Sequence, residues 1–323
     1  MLIKKLLCFF FIVFSITSFS QQMPYYTQYK SNQAMINPAT LGTKRTLDAR
    51  TNYRLQWVGF DDAPKTATIN INGRLYKETM GLGVGYFNDR TGPTKRSDLS
   101  LGYAYHLKFQ DVELSVGAAF HMLNYQVDGT LLNMHIAQDN VIDMTITQKK
   151  NANDLSAGIY FYNDRFHIGC AALNLLETDI NFYPGSDTTH RTNIAMVPHI
   201  YGSVGYNWSG DPDFIWENSL QALYSESNPI TLDYNLRIHY QQKIFGGLAF
   251  RIRDAVALQL GATFMDEFHI SYSYDIIISS LKKSQSGSHE IMLAWSKSFN
   301  DDSGRKKKHD NARFKKQKYG FMF

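Results

Sequence analysis

Cysteine and long apolar runs are what this chain of 323 residues has least of, and each shortage excludes a class of protein. It carries two cysteines, Cys8 and Cys170. Lys4 and Lys5 precede an apolar run from Leu6 to Phe14, and small polar residues follow as far as Ser20, the layout of a cleavable secretory signal peptide over residues 1–20. Its removal takes Cys8 away and leaves Cys170 alone, so no intramolecular disulfide staples the fold. Cys170 falls in phase with Ile168 and Ala172, as a small hydrophobe on one face of a strand would. No later run approaches the roughly twenty apolar residues of a membrane helix, and mean hydropathy is −0.31, which excludes a helical membrane protein. A linker rich in Pro, Ser or Gly is also missing, so the long middle of the chain reads as one domain.

Chemistry is sparse too. An enzyme needs a nucleophile, a base and an orienting group on one wall, and no convincing Ser/His/Asp or His/Glu set stands out. His289 and Glu290 are neighbours, so on a strand they point to opposite faces and cannot act as a dyad. The histidines are scattered singly, without the close pairs of a metal site. Gly81, Gly83 and Gly85 alternate within a strand, match no phosphate-cradling loop, and read as small inward residues beside a bulky neighbour. The reading is therefore of a non-enzyme with no catalytic residue, cofactor or metal.

What is present is alternation. From about Leu47 to Phe299, segments of some ten residues place bulky apolar side chains at every second position. Leu99, Leu101, Tyr103, Tyr105 and Leu107 share one face of a strand, while Ser100, Gly102, Ala104 and His106 share the other. The same split recurs at Leu114 to Phe120, Leu232 to Tyr240, Val256 to Phe264 and Phe268 to Tyr274. A soluble sandwich also alternates, but its second face is usually rich in Lys, Glu and Thr. Here that face carries Gly, Ala, Ser and scattered charges, which suits a crowded lumen, and the many Tyr and Phe near strand ends suit aromatic girdles. The expected fold is all-β: a transmembrane antiparallel barrel of about fourteen strands over residues 47–299, with a periplasmic or plug segment at 21–46 and a basic tail at 300–323.

Connection lengths agree. Turns expected beneath the membrane, around Lys77, Gln110, Asn163 to Asp164, Ser209 to Pro212, Gln241 to Gln242 and Asp266, are tight. Those expected outside, Asp89 to Ser97, Leu123 to Asn153, Leu175 to Val197, Ser225 to Pro229 and Ile277 to Ser288, are longer, with Arg253-Asp254 a short exception.

The opening Tyr25-Tyr26-Thr27-Gln28-Tyr29, with Asn32 and Ile36-Asn37-Pro38-Ala39 and Gly42 after it, resembles the YSQY, N and INPA start of the PorP/SprF family of Bacteroidetes outer-membrane proteins. Arg54-Leu55-Gln56-Trp57-Val58-Gly59 and Ala63-Pro64-Lys65-Thr66 resemble its R-x-QW-x-G and AP-x-T boxes. Tyr272-Ser273-Tyr274-Asp275 and His289-Glu290-Ile291-Met292-Leu293 resemble its closing YSYD and HEI-x-L. Thr40-Leu41 departs mildly from the usual wording, and the tail after Phe299 runs past the expected end. The resemblance implies a non-enzymatic helper of type IX secretion or gliding, partnered by a secreted adhesin, by the C-terminal sorting domain of a cargo, or by periplasmic secretion components.

Partner contacts are expected at Tyr29, Asn32, Asn37, Pro38, Arg54, Gln56, Trp57 and Pro64, although for Trp57, in phase with Leu55 and Tyr53, an interfacial anchor is the favoured reading over a partner contact. Asn32 to Pro38 is too polar for a strand and too apolar for a free tail, so it is expected to plug or brace the barrel mouth. Arg305, Lys306, Lys307, Lys308, Lys315 and Lys316 concentrate the positive excess in a periplasmic tail suited to an acidic partner or anionic lipid; the export signal argues against nucleic acid. Tyr319, Phe321 and Phe323 resemble a terminal barrel-assembly signal, a role for which Ile291 to Phe299 competes. The competing function is a passive pore for a small solute, which needs polar lumen residues such as Asp233, Arg237 and His269.

Overall fold

A computed structural model describes residues 24–75, 79–131, 147–182, 193–226 and 228–298. The leader, the turn at Lys77, much of the stretch between Leu123 and Asn153, and the basic tail with its terminal aromatics lie outside the described residues.

Alternation produces strands because every second side chain needs lipid while its neighbours need one another. The strands are β1 (Thr46–Leu55), β2 (Lys65–Leu75), β3 (Met80–Thr91), β4 (Thr94–Phe109), β5 (Val112–Asp128), β6 (Thr147–Tyr162), β7 (Phe166–Leu173), a short hairpin of β8 (Asp179–Asn181) and β9 (Asn193–Ala195), then β10 (His199–Asp211), β11 (Phe214–Ser225), β12 (Asn228–Tyr240), β13 (Ile244–Arg251), β14 (Ala255–Phe264), β15 (Phe268–Ile277) and β16 (Ser288–Ser298). Leaving out β8 and β9, the fourteen described strands pair antiparallel with their sequence neighbours, and β1 pairs with β16 to close a barrel. Closure removes every sheet edge, which lipid could not hydrogen-bond.

The outer face is apolar where the sequence says it should be: Leu101, Ile159, Leu248 and Leu260 are exposed, Leu260 by 65%. Cys170 is exposed on the same surface. Aromatic pairs flank the short connections: Phe161 with Phe166 at 5.7 Å, Trp208 with Trp216 at 6.4 Å and Phe214 with Tyr240 at 5.1 Å between ring centroids. They form part of one girdle, and the end they mark, with its tight turns, is the periplasmic one.

At the outward end two expected loops are not loops. β3 and β4 meet at Gly92-Pro93, and β11 reaches Ser225 while β12 starts at Asn228, so Asp89 to Ser97 and Ser225 to Pro229 belong largely to strands. The reason is physical: the apolar pattern stops where the hydrocarbon stops, but the backbone ladder continues into the headgroup region and beyond. β4 and β5 have 16 and 17 residues, whereas spanning takes roughly nine to eleven. Their outward ends therefore project. On the lumen side of that projection Leu123, Val127 and Ala152 pack with Ile180, Phe182 and Met196 of the segment carrying β8 and β9, a small satellite core at the mouth.

A charge placed on the outer face should be costly. Leu101→Arg is expected to lower stability in a reversible refolding titration by about 2–4 kcal/mol; an unchanged midpoint would mean that this face does not meet lipid.

Candidate functional site

The lumen-facing side chains are polar, buried and mostly paired with a segment of the same chain. Residues 24–45 run inside the barrel, from the outward ends of the strands down to the periplasmic rim where β1 begins, and three tiers of contacts fix them.

The outward tier gathers around Arg54, which is 1% exposed. In β1 it stands opposite Glu290 of β16, with Asp275 of β15 beside it. Its guanidinium reaches Asp275 at 2.6 Å and Glu290 at 2.8 Å. A buried Arg with two carboxylates needs its remaining lone pairs satisfied, and the N-terminal segment supplies donors. The Thr27 backbone N–H donates to Glu290 at 2.9 Å and its hydroxyl to Asp275 at 2.7 Å. The Gln28 N–H donates to Glu290 at 3.2 Å, and its side-chain amide to the Glu290 carbonyl at 3.1 Å. Arg251 joins Asp233 at 3.1 Å and Asp254 at 3.0 Å and lies over the Tyr25 ring at 5.2 Å. Asn235 donates to the Thr27 carbonyl at 3.1 Å. The segment thus clasps the seam where the barrel closes.

In the middle tier, Arg237 donates to Ser31 Oγ at 2.7 Å and to Gln259 at 2.9 Å. Tyr29, buried, pairs its hydroxyl with Ser219 at 3.1 Å. Lys30 lies 3.6 Å from Glu217, which His239 also touches at 3.1 Å. Burial pulls the Lys30 ammonium below its ordinary pKa, and Glu217 works against that shift. Tyr160 donates to Gln33 at 2.9 Å.

The lowest tier is a seat made by omission. Asn37 caps the 3-10 turn Pro38–Thr40, its side-chain oxygen accepting from the Ala39 N–H at 2.9 Å, and its amide donates to the Ile159 carbonyl at 3.2 Å. Opposite lie five glycines on four neighbouring strands of the wall: a β-carbon on Gly81, Gly83 or Gly102 would stand under 3.0 Å from Leu41, one on Gly117 under 3.0 Å from Pro38 and Ala39, and one on Gly158 under 3.0 Å from Asn37. These glycines leave the room that Asn37 to Leu41 fill. The Leu41 carbonyl meets His106 Nε2 at 2.9 Å. Gly42, at φ +76°, turns the chain away, and Glu113 then gathers Arg45, Arg74 at 2.5 Å and the Tyr162 hydroxyl at 2.8 Å.

The residues singled out in the sequence therefore fall into two groups. Tyr29, Asn32, Asn37, Pro38 and Arg54 are buried inside. Gln56, Trp57 and Pro64 sit half-buried at the outward rim, in the connection after β1. There the Gln56 N–H donates to the Pro64 carbonyl at 3.0 Å, the Trp57 N–H to Ser288 Oγ at 3.1 Å and the Val58 N–H to the Gly287 carbonyl at 2.9 Å, stitching this connection to the one before β16. Trp57 adopts φ +48°, so the strand phase that links it to Leu55 ends at Leu55. Of the two placements expected for this segment, periplasmic or plug, residues 24–29 take a position at the outward level of the lumen, where the polar groups of Thr27 and Gln28 complete the Arg54 clasp.

One Ser/His/Asp row does exist, against the sequence reading. His121 Nδ1 lies 2.8 Å from Asp98 and Nε2 2.9 Å from Ser156 Oγ. The three come from β4, β5 and β6, so no local spacing announces them. They face a lumen cavity of about 50 Å³ shared with Tyr26, Met35 and Arg96; that is room for a few waters, well below the several hundred Å³ of a small-molecule site, and Ser156 is 1% exposed. The row braces three adjacent strands. His289 points outward to the Tyr272 hydroxyl while Glu290 points inward, and no cluster of metal-ligand type occurs among the described residues.

Removing one partner of the clasp strands two buried carboxylates. Arg54→Ala should cost about 3–5 kcal/mol in refolding measurements, and Gly117→Val should lower the temperature at which the barrel loses its heat-resistant gel mobility. Native mobility and stability in both variants would contradict the geometry.

Comparison with solved structures places the architecture among outer-membrane barrels. A monoaromatic hydrocarbon channel, CymD, superposes with a TM-score of 0.52 at 12% identity over 88% of this chain and 96% of that one. A FadL homologue of Pseudomonas aeruginosa gives 0.48 at 12% identity, over 83% and 94%. The Pseudomonas putida toluene transporter TodX gives 0.48 at 9%, over 83% and 94%. At such identities the likeness speaks for the fold alone. No curated protein matches the chain. The sequence of residues 18–295, however, matches the family described as type IX secretion system membrane protein PorP/SprF, and the span takes in the whole clasp, the glycine seat and nearly all of the barrel. The chain is an outer-membrane β-barrel and belongs to the PorP/SprF family of type IX secretion membrane proteins.

Proposed function

We propose that this barrel serves type IX secretion as a non-enzymatic holder of a secreted partner, an adhesin or the C-terminal sorting domain of a cargo, rather than as a pore. The observation that carries the reading is the occupied lumen: polar side chains that a channel would turn toward solute, among them Asp233, Arg237 and His239, are spent on the chain's own residues 25–31 or on each other. A barrel whose interior is committed in this way has its outward rim left for recognition. There the connection carrying Gln56, Trp57 and Pro64 is laced to the one preceding β16, which gives a partner a preorganised surface. The projecting ends of β4 and β5 add a second wall to that rim. The basic tail, with Arg305, Lys306, Lys307, Lys308, Lys315 and Lys316, would reach acidic periplasmic components of the secretion apparatus from below.

Two measurements on the same preparation separate holder from pore. In planar bilayers the protein should show no steady porin-like conductance, and from native membranes it should co-purify with a secreted protein that Trp57→Ala releases while the barrel stays folded. Sustained conductance with no protein companion would overturn the proposal.

A further inference from the structure

Register places an unusual row of charge across the outer surface at the outward end. Lys65 of β2 is directly opposite Arg90 of β3, Arg90 is opposite Lys95 of β4, Lys95 is opposite Gln126 of β5, and Gln126 is opposite Lys149 of β6. Four cations and one amide thus stand side by side on five neighbouring strands, over roughly 19 Å at the usual strand spacing. All four cations are exposed. Their parity with Tyr86, Leu99, Met122 and Leu155 puts them on the lipid-side face, not in the lumen. Like charges directly opposite one another on paired strands repel, and among the described residues none of the four has an ion-pair partner. The sheet therefore carries an electrostatic cost that an anion would relieve.

Depth narrows the anion. Moving up this face, the rows change from Leu101 and Phe120, through Leu99 and Met122, to a polar row of Asn88, Ser97, Asn124 and Asn151, in which Asn88 donates to Ser97 at 2.8 Å and Asn124 to Asn151 at 2.6 Å. The cations form the next row, about 7 Å farther along the strands. Apolar, amide, cationic is the order in which a surface meets hydrocarbon, then the interface, then charged headgroups. A hollow of about 530 Å³ opens on this row, lined by Arg90, Lys95, Gln126 and Lys149 together with Asn88 and Thr147. Its bordering carboxylate, Asp128, is already engaged by the Thr130 N–H at 3.1 Å and hydroxyl at 2.6 Å.

The geometry points to a binding site for the phosphorylated headgroup of an outer-leaflet lipid, seated on Arg90, Lys95 and Lys149 and flanked by Lys65. Arg90 offers the forked donor that matches a phosphate, and the lysines supply point charge on either side. Because these side chains look away from the mouth, a secreted protein held at the rim would not meet them first; the lipid around the barrel would. Such a lipid would tie β2 through β6 together at the level where they leave the membrane, beneath the projecting wall.

The test uses the full mature chain in detergent and native mass spectrometry. It is titrated with lipid A bearing two phosphates, with the same lipid after dephosphorylation, and with inorganic phosphate. The unaltered protein should retain the phosphorylated lipid at least about tenfold better than the dephosphorylated one, the equivalent of about 1.4 kcal/mol. The variant combining Arg90→Gln, Lys95→Gln and Lys149→Gln should lose that preference, while Lys108→Gln, near the opposite end of β4, should keep it. Equal retention of both lipids by the unaltered protein overturns the site whatever the variant does. So does a variant that holds the phosphorylated lipid like its parent. Full competition by inorganic phosphate would reduce the site to an adventitious ion only, and loss of a co-purifying protein with lipid retained would make the row a protein surface instead.

Discussion

The structure depends on how a cylinder buried in lipid disposes of charge it has turned inward. Arg54 is the centre of that problem: fully enclosed, it needs Asp275 and Glu290, and those carboxylates in turn need more donors than the wall provides. Thr27 and Gln28 supply them from a segment that precedes β1 and lies far from both carboxylates in sequence but against them in the fold. Ion pairs of this kind contribute little when exposed and are costly when half made, so the segment and the seam are stable together or not at all.

Once Thr27 is fixed above and Gly42 below, the path between them is short, and the wall is shaped to it. Glycine on β3, β4, β5 and β6 lowers the inner surface under Asn37 to Leu41, while polar side chains on β11 and β12 rise to meet Tyr29, Lys30 and Ser31. The two halves of the barrel thus treat the same segment differently: one yields space, the other offers charge. What remains free of this commitment is the outward rim and the lipid-side face, which is why recognition is assigned there.

Much of this was legible in the residues. Period-two alternation fixed which side chains face lipid, and residues such as Leu101 and Leu260 lie where that pattern puts them. Gly81 and Gly83 were readable as small residues beside something bulky, though not that the bulk is Leu41, which reaches them across the lumen from a distant part of the chain. The words of the family resemblance, Tyr25 to Tyr29, Arg54, Asp275 and Glu290, looked like separate tags along the chain; folded, they are one clasp. What escaped the sequence was cross-strand: the Asp98–His121–Ser156 row, the cation row from Lys65 to Lys149, and the strands that carry on through Asp89 to Ser97 after the apolar signal ends. Periodicity reports the environment of one strand, whereas register between strands is set by closure of the whole barrel.

Everything in this barrel's interior depends on residues 24–45 being held inside the wall, and hydrogen exchange measured on the folded protein in detergent tests that placement most directly. The amides of Thr27 and Gln28, both bonded to Glu290, are predicted to be protected for as long as those of the barrel strands. Complete exchange of that segment within seconds, at the rate of an unstructured tail, would contradict it.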